Sequence, residues 1–533
     1  MLKKHLLIAA GLMATPLAMA QDVAVSKVAG GSDYAYYGTA NGLLAYSFAT
    51  TSCNVGNVLI NWTPSNRQSP AIATTMYRIY DGKMEMLGYA WLKDSFCAVS
   101  EPSCGNCQAT PCSTLGIGCA DTYGSGLNDG AGGVAKWQLN PTTGAWPNSW
   151  VTASGALPLR GRIQIPAAEA ADPNSVYIAE SVYISEHDQM AGNARNNGSW
   201  QEFRFVNGSV SNLQNVGSVH MFDPAIFAWQ AEHPDVHIAE LVNTDEGGPG
   251  VNGYIFVASK ATDIGQGFYR YDYAVMNFNS NQAVGSFSLP AVTCDLSNLG
   301  FHDVDHHSGS PWENTDWTAS TTGNAPSWTT ESYASNPNAN AIRWDMMYNF
   351  SFESGAAPAA SLGSANVGLF APGVGTSLTA DVIVPGDVCT GCTGGSFTPY
   401  CSANGNSANP AGAAFQINGT PNVVANDLEF VVTQLPTGQF GYFIMAPNQA
   451  SGPLTNSQGN LCLGAGIVRW NENQYILNSG IFGFVTLQPD LNNGPFGMQF
   501  MPGETWNFQY WYRDLNPNST SNTTAGIQVQ FCQ

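Results

Sequence analysis
Residues 268–278 read FYRYDYAVMNF. Strand side chains alternate faces with a period of two, so Tyr269, Tyr271, Tyr273 and Val275 share one face and Arg270, Asp272, Ala274 and Met276 the other. Arg270 and Asp272 are then same-face neighbours suited to an ion pair. Aromatic and β-branched content favours strand over helix. Residues 254–258 (YIFVA) give a second strand, with a Gly-rich turn at 263–267, and residues 284–289 a third, stopped by Pro290. Short connections make these three an antiparallel meander. The same period recurs at 43–50, 58–62, 160–165, 176–184, 202–206 and 347–352. Residues 76–80 and 83–89 flank Asp81-Gly82, a pair suited to a tight hairpin turn. Only residues 224–230 suggest a helix, a short one. The chain is therefore read as mainly β: two or three antiparallel β-sandwich-like domains with few helices.

The spacing suggests an N-terminal Cys-rich β domain over 21–155, a central β-sandwich over 156–386, a Gly/Thr/Cys linker over 387–399 and a C-terminal β-sandwich module over 400–533. Residues 1–20 (MLKKHLLIAAGLMATPLAMA) have a basic start, an apolar stretch and an A-x-A site, the pattern of a secretory signal peptide. No later apolar run reaches the ~18 residues a membrane helix needs. These features imply a chain that is exported and does not span the membrane, placed outside the cell, at its surface or in the periplasm.

Composition agrees with export. The net charge of −21 disfavours nucleic acid and anionic lipid as partners. Charged residues are only 10% of the chain, so the acidity does not signal a disordered tail. The cysteines are Cys53, Cys97, Cys104, Cys107, Cys112, Cys119, Cys294, Cys389, Cys392, Cys401, Cys462 and Cys532. An even count in an exported chain reads as disulfides, mostly within each unit. Cys401 with Cys532 is the expected closure of the last module. The rival reading is zinc or haem, since Cys104–Cys107 and Cys389–Cys392 are CxxC pairs. Neither is followed by His, and no His lies near residues 97–119.

The densest cluster of candidate chemistry is FHDVDHHSG at 301–309. In an extended segment Asp303, Asp305 and His307 face one way, and His302 and His306 the other. Imidazole and carboxylate suit a divalent metal, zinc or calcium. A calcium loop fails on its own template, because Ser308 replaces Gly and Asn314 the final Glu. The competing reading is a polar loop whose His rings stack on Trp312 or Trp317. Asp514-x-Asn516-x-Asn518 also approaches a calcium loop and also lacks its Gly and Glu. Glu180, Asp188, Glu240, Asp245 and Asp272 lie on or beside central strands, and any two could form a glycosidase pair. No G-x-S-x-G, H-E-x-x-H or GxxxxGK[ST] motif occurs. Trp506, Tyr510, Trp511 and Tyr512 could stack on sugar rings, or half of them could be core.

The segments GIGCADTY (116–123), YDYAVMNFNS (271–280), GFHDVDHHSG (300–309), NANAIRW (338–344), YNF (348–350) and VGLF (367–370) resemble a family of exported β-rich bacterial proteins. GQFGYF (438–443), GNLCL (459–463) and ETWNFQYWYRD (504–514) resemble a separate C-terminal β-sandwich module carried by secreted proteins. The resemblance implies export and a β architecture, and implies no particular activity. Two function classes follow from the sequence. One is a secreted, disulfide-stabilised protein of structural or surface-interaction type, meeting extracellular polysaccharide or cell-surface components. The other is an extracellular carbohydrate-active or metal-dependent enzyme working from the central region.

Overall fold
A computed structural model describes residues 20–28, 31–64, 68–265, 267–294, 296–389, 395–516 and 518–532. The expected signal peptide lies outside the described residues apart from Ala20. Antiparallel sheets dominate, and the α-helices among these residues are Glu186–Met190 and Ile226–Glu232.

The layering begins with the strand Val176–Ile184, VYIAESVYI. It pairs with Ala71–Tyr80 on one side and Gly198–Phe205 on the other, inside a sheet that also holds Lys83–Tyr89 and Leu213–Met221. Its nearly continuous apolar pattern follows from burial on both faces. Tyr177, Ala179 and Tyr183 pack with Val23, Tyr46 and Phe48 of the small N-terminal sheets. Ile178 and Val182 point the other way, into a core shared with Met276 and Met347. Those residues belong to a second sheet, ordered His237–Gly248, Val251–Gly265, Phe268–Asn277, Met346–Ser354 and Leu296–His302. A third sheet, including Val284–Ser288 and Gly363–Leu369, covers its far face.

This stacking changes two expectations. Strands before and after residue 155 lie side by side in one sheet, so a division there cuts through hydrogen-bonded neighbours. Two of the three strands expected to form a meander are neighbours: Val251–Gly265 pairs with Phe268–Asn277, but the next neighbour is Met346–Ser354. Val284–Ser288 crosses to the facing sheet instead. There Phe287 meets Tyr273 at 5.5 Å and Phe350 at 5.0 Å between ring centroids, a face-to-face contact that edge pairing would forbid. The Arg270–Asp272 ion pair forms at 2.8 Å.

Residues 413–531 build a separate core around Phe430, Phe443, Trp470 and Phe508. Within the expected linker, Ser396–Tyr400 is an edge strand of this unit, and Asp387 to Cys389 belong to a strand paired with Ala356–Pro358. On the strand Thr505–Asp514, Tyr510 and Tyr512 are buried and Trp506 is half-buried on the same face, while Trp511 is half-buried on the opposite face.

Disulfides join Cys53 to Cys104, Cys107 to Cys119, Cys294 to Cys389 and Cys401 to Cys462. Cys532 is also disulfide-bonded, and Cys392 lies outside the described residues. The expected Cys401–Cys532 closure is therefore corrected. Ser396–Tyr400 runs antiparallel to Gly526–Gln530, with Tyr400 opposite Gly526 and Ser396 opposite Gln530. That register puts Cys401 and Cys532 at opposite ends of the strand pair. The expected pairing of most cysteines does not extend to Cys97 and Cys112. Cys97 and Cys112 are exposed free thiols held as neighbours, with the Ala98 N–H donating to the Cys112 carbonyl at 2.8 Å. The sulfurs of Cys104 and Cys107 enter two different disulfides, so this CxxC is not a metal or haem clamp.

Candidate functional site
The strand Leu296–His302 ends at His302, opposite Asn349. Residues beyond it leave the sheet, so the alternation expected for 302–307 does not continue. The five candidate side chains diverge as a result. His302 Nε2 lies 3.3 Å from the Met86 carbonyl. The Asp303 carboxylate accepts the Asn340 side-chain amide, and burial raises its pKa. Asp305 is exposed. His306 turns inward, its backbone N–H held by Asn314 at 2.7 Å and its ring 5.0 Å from Trp312. His307 stacks on Tyr89 at 4.4 Å, and Lys136 Nζ sits 4.4 Å from the same Tyr89 ring.

Burial pushes both His306 and His307 down to about 3, helped by the positive charge of nearby Arg343 and Lys136. Both rings are therefore neutral at physiological pH and buried. His306 Nε2 and both ring nitrogens of His307 have no hydrogen-bond partner. Such nitrogens could ligate a metal, but the remaining donors are missing. Among the described residues no three His, Cys, Asp or Glu side chains gather into a metal-sized group. The expected divalent ion, zinc or calcium, thus has no donor set at His302, Asp303, Asp305, His306 and His307. The second calcium-like segment is also committed elsewhere: Asp514 accepts the N–H groups of Ser407 at 3.0 Å and Leu515 at 2.7 Å.

Outside this inward-facing cluster lies a cleft of about 490 Å³. Its walls are the Lys83–Tyr89 strand at Met86 and Leu87, residues 154–159, and the segment from His302 to Ser308. Ser154 clips the last two together, its hydroxyl donating to the Ser308 carbonyl at 2.9 Å. Glu169 also lines the cleft and pairs with Arg78 at 3.3 Å. The cleft therefore offers one free acidic side chain, Asp305, beside carboxylates already bonded to protein groups.

The other candidate carboxylates do not converge on it. Asp188 is buried, accepting from Val23 N–H at 2.9 Å and from Asn197. Glu240 pairs with Arg195 and Asp272 with Arg270. Asp245 caps a turn, accepting from Gly250 N–H at 2.7 Å. Glu180 is fully buried between the two large sheets.

Sequence reasoning missed the C-terminal module's most exposed apolar side chains. Ile481 is 81% exposed and Phe482 78%. Gly480 and Gly483 bracket them with positive φ of 57° and 68°. A Cβ on Gly483 would meet the Leu435 carbonyl at 2.5 Å, so the turn needs glycine there. Hydrogen bonds from Gly438 to Gly480 and from Leu435 to Gly483 fix the turn to its neighbouring segment. Phe484 and Phe440 add exposed rings at the same end. The dipeptide Ile-Phe between two glycines is the sequence signal for this turn.

No helix among the described residues is long and apolar enough to cross a membrane. No protein-family model matches the chain, and no curated protein is similar to it. The solved structures with some likeness include two bacterial surface proteins. The full-length major pilin SpaD from Corynebacterium diphtheriae is 10% identical over 85% of this chain and 83% of that one, with a TM-score of 0.18. The Actinomyces fimbrial adhesin FimA is 12% identical over 54% of this chain and 96% of that one, with a TM-score of 0.15. Scores this low carry no argument about the fold or role of this chain.

Proposed function
We propose that this chain is an extracytoplasmic protein of structural or surface-interaction type, whose contact end is the apolar turn of its C-terminal module. The observation that carries the reading is the exposure of Ile481 and Phe482 on a glycine-bracketed, hydrogen-bonded turn. Large apolar groups held in water cost free energy that a partner recovers, about 1.5–3 kcal/mol per fully buried side chain. Disulfides support residence in an oxidising compartment. The cleft supports the same reading, since most of its titratable groups are bound to protein partners rather than poised towards solvent.

The partner belongs to the cell envelope or its extracellular polysaccharide. The test is binding of purified protein to isolated envelope and to a polysaccharide panel, comparing the wild type with an Ile481→Ser/Phe482→Ser variant. At least a tenfold loss of binding with unchanged circular dichroism is expected. Equal binding by both proteins would remove the turn from the function. Release of reducing sugar that disappears in Asp305→Asn would move the function to the cleft and make the chain a carbohydrate-active enzyme.

A further inference from the structure
A buried group of side chains lies between the two large sheets, behind the Tyr89–His307 stack. Lys136 Nζ is 2.6 Å from Asp345 Oδ2, and each side chain is 1% exposed. Lys136 also donates to the Asp345 backbone carbonyl at 3.0 Å. The amine lies under two aromatic rings, Tyr89 at 4.4 Å and Trp344 at 5.2 Å. Asp345 is held in a left-handed conformation, φ 52°, with its N–H donating to the Asn277 carbonyl at 2.6 Å. Its Oδ1 is buried without a hydrogen-bond partner.

A third acid completes the group. Glu180 is fully buried and stands opposite Thr75 in the antiparallel ladder. Thr75 Oγ1 donates to the same Asp345 Oδ2 at 3.1 Å, so the hydroxyl of Glu180's cross-strand neighbour is bound to the Asp345 carboxylate. Tyr77 Oη and Ala225 N–H, each at 2.7 Å, fix the two oxygens of Glu180.

Two carboxyl groups and one amine are thus sealed from water together. With both acids ionised the site would hold an uncompensated negative charge, which a dry interior resists. Burial and the neighbouring Asp345 push Glu180 up to about 8, so it keeps its proton near neutrality. Burial also pulls the Lys136 ammonium down. A neutral amine, a carboxyl carbon and a proton donor are the three parts that amide formation needs.

The geometry points to a self-made intramolecular amide between Lys136 Nζ and Asp345 Cγ, with Glu180 as the proton carrier. A proton first passes from the Lys136 ammonium to the Asp345 carboxylate, leaving a neutral amine and a neutral acid. The nitrogen lone pair attacks Cγ, and a C–N bond forms. Glu180 gives its proton to the departing oxygen and takes one from the attacking nitrogen. The C–O bond breaks, one water leaves, and Glu180 is restored. No oxidant or reductant takes part. The driving force is the removal of two buried charges, which the amide replaces with a neutral group. The bond would join positions 209 residues apart, tying the Lys136–Gln138 turn to the start of the Met346–Ser354 strand.

Intact mass of the reduced, denatured full chain tests this directly. Between the same termini, the wild type is expected lighter than its sequence by one water. A tryptic digest is expected to hold a branched peptide joining the regions of Lys136 and Asp345, with no cleavage after Lys136. Lys136→Arg and Glu180→Gln are each expected to restore the full mass and abolish the branch. Asp345→Asn is expected to form the same branched peptide with loss of ammonia, which keeps the test open where Glu180→Gln fails to fold. Full wild-type mass with normal cleavage after Lys136 overturns the proposal. A cross-linked Glu180→Gln protein overturns the role of Glu180.

Discussion
At the residue scale, His307 shows how burial decides chemistry. Its ring stacks on Tyr89, yet neither nitrogen has a hydrogen-bond partner. A buried polar group without a partner costs about 1–3 kcal/mol. Its pKa falls to about 3 in the folded chain and returns to about 6.5 on unfolding. The unfolded chain therefore binds more protons between those values, and stability falls as pH drops below about 6.5. His306 adds to the same trend, with its pKa also lowered to about 3. Glu180 and Asp188 act in the opposite direction. Their pKa values are raised to about 8, so the stability they hold in protonated form is lost as pH rises towards 8. His307→Phe preserves the stack and removes one titration. The expected outcome is equal or higher stability at pH 7.5 and a larger advantage over the wild type at pH 5, measured by urea unfolding at both pH values. A loss of stability at both would mean that the ring nitrogens do bind something in the native protein.

At the scale of single elements, legibility followed the length and regularity of the pattern. Phe268–Asn277 was plain in the sequence because Tyr269, Tyr271 and Tyr273 recur at every second position, and its Arg270–Asp272 pair followed from the same two-residue period. The buried half of the C-terminal aromatic strand, Tyr510 and Tyr512, followed from the same period. Partnership was not legible. Nothing local in Val284–Ser288 tells whether it joins its predecessor's sheet or faces it, because that choice is made by Phe287 meeting Phe350, sixty-odd residues later in the chain. The metal reading needs the alternation to continue past His302, where the strand ends and the side chains diverge. Cys294–Cys389 is a consequence of the same long-range assembly, closing a loop of 95 residues and anchoring the strand Pro385–Cys389. In the chain-entropy picture such a loop is worth about 4–5 kcal/mol. Cys294→Ala/Cys389→Ala is expected to lower stability by up to that amount without changing the strand content. A change within measurement error would mean that the unfolded chain is already compact at this loop.

At the scale of the whole molecule, what decides behaviour is which cores are shared. The strands Ala71–Tyr80 and Val176–Ile184 exchange hydrogen bonds along their length, and apolar residues from both sides of position 155 fill the cores above and below them. A fragment of residues 21–155 would expose the hairpin face that meets the second sheet and lose the neighbouring strand Val176–Ile184. It is expected to aggregate, or to show no cooperative unfolding transition. The C-terminal core is different: every fully buried member of its cluster lies between Ala413 and Phe531. A fragment of residues 387–533, with Cys389→Ser because its partner Cys294 is left behind, is expected to fold alone around Phe430, Phe443 and Phe508. Calorimetry distinguishes the two cases, with one cooperative transition for the C-terminal fragment and none for the N-terminal one. Because the Gly480–Gly483 turn is bonded within that module, the fragment should also keep its affinity for envelope material. A folded fragment that no longer binds would show that the surface contact needs the layered body as well as the apolar turn.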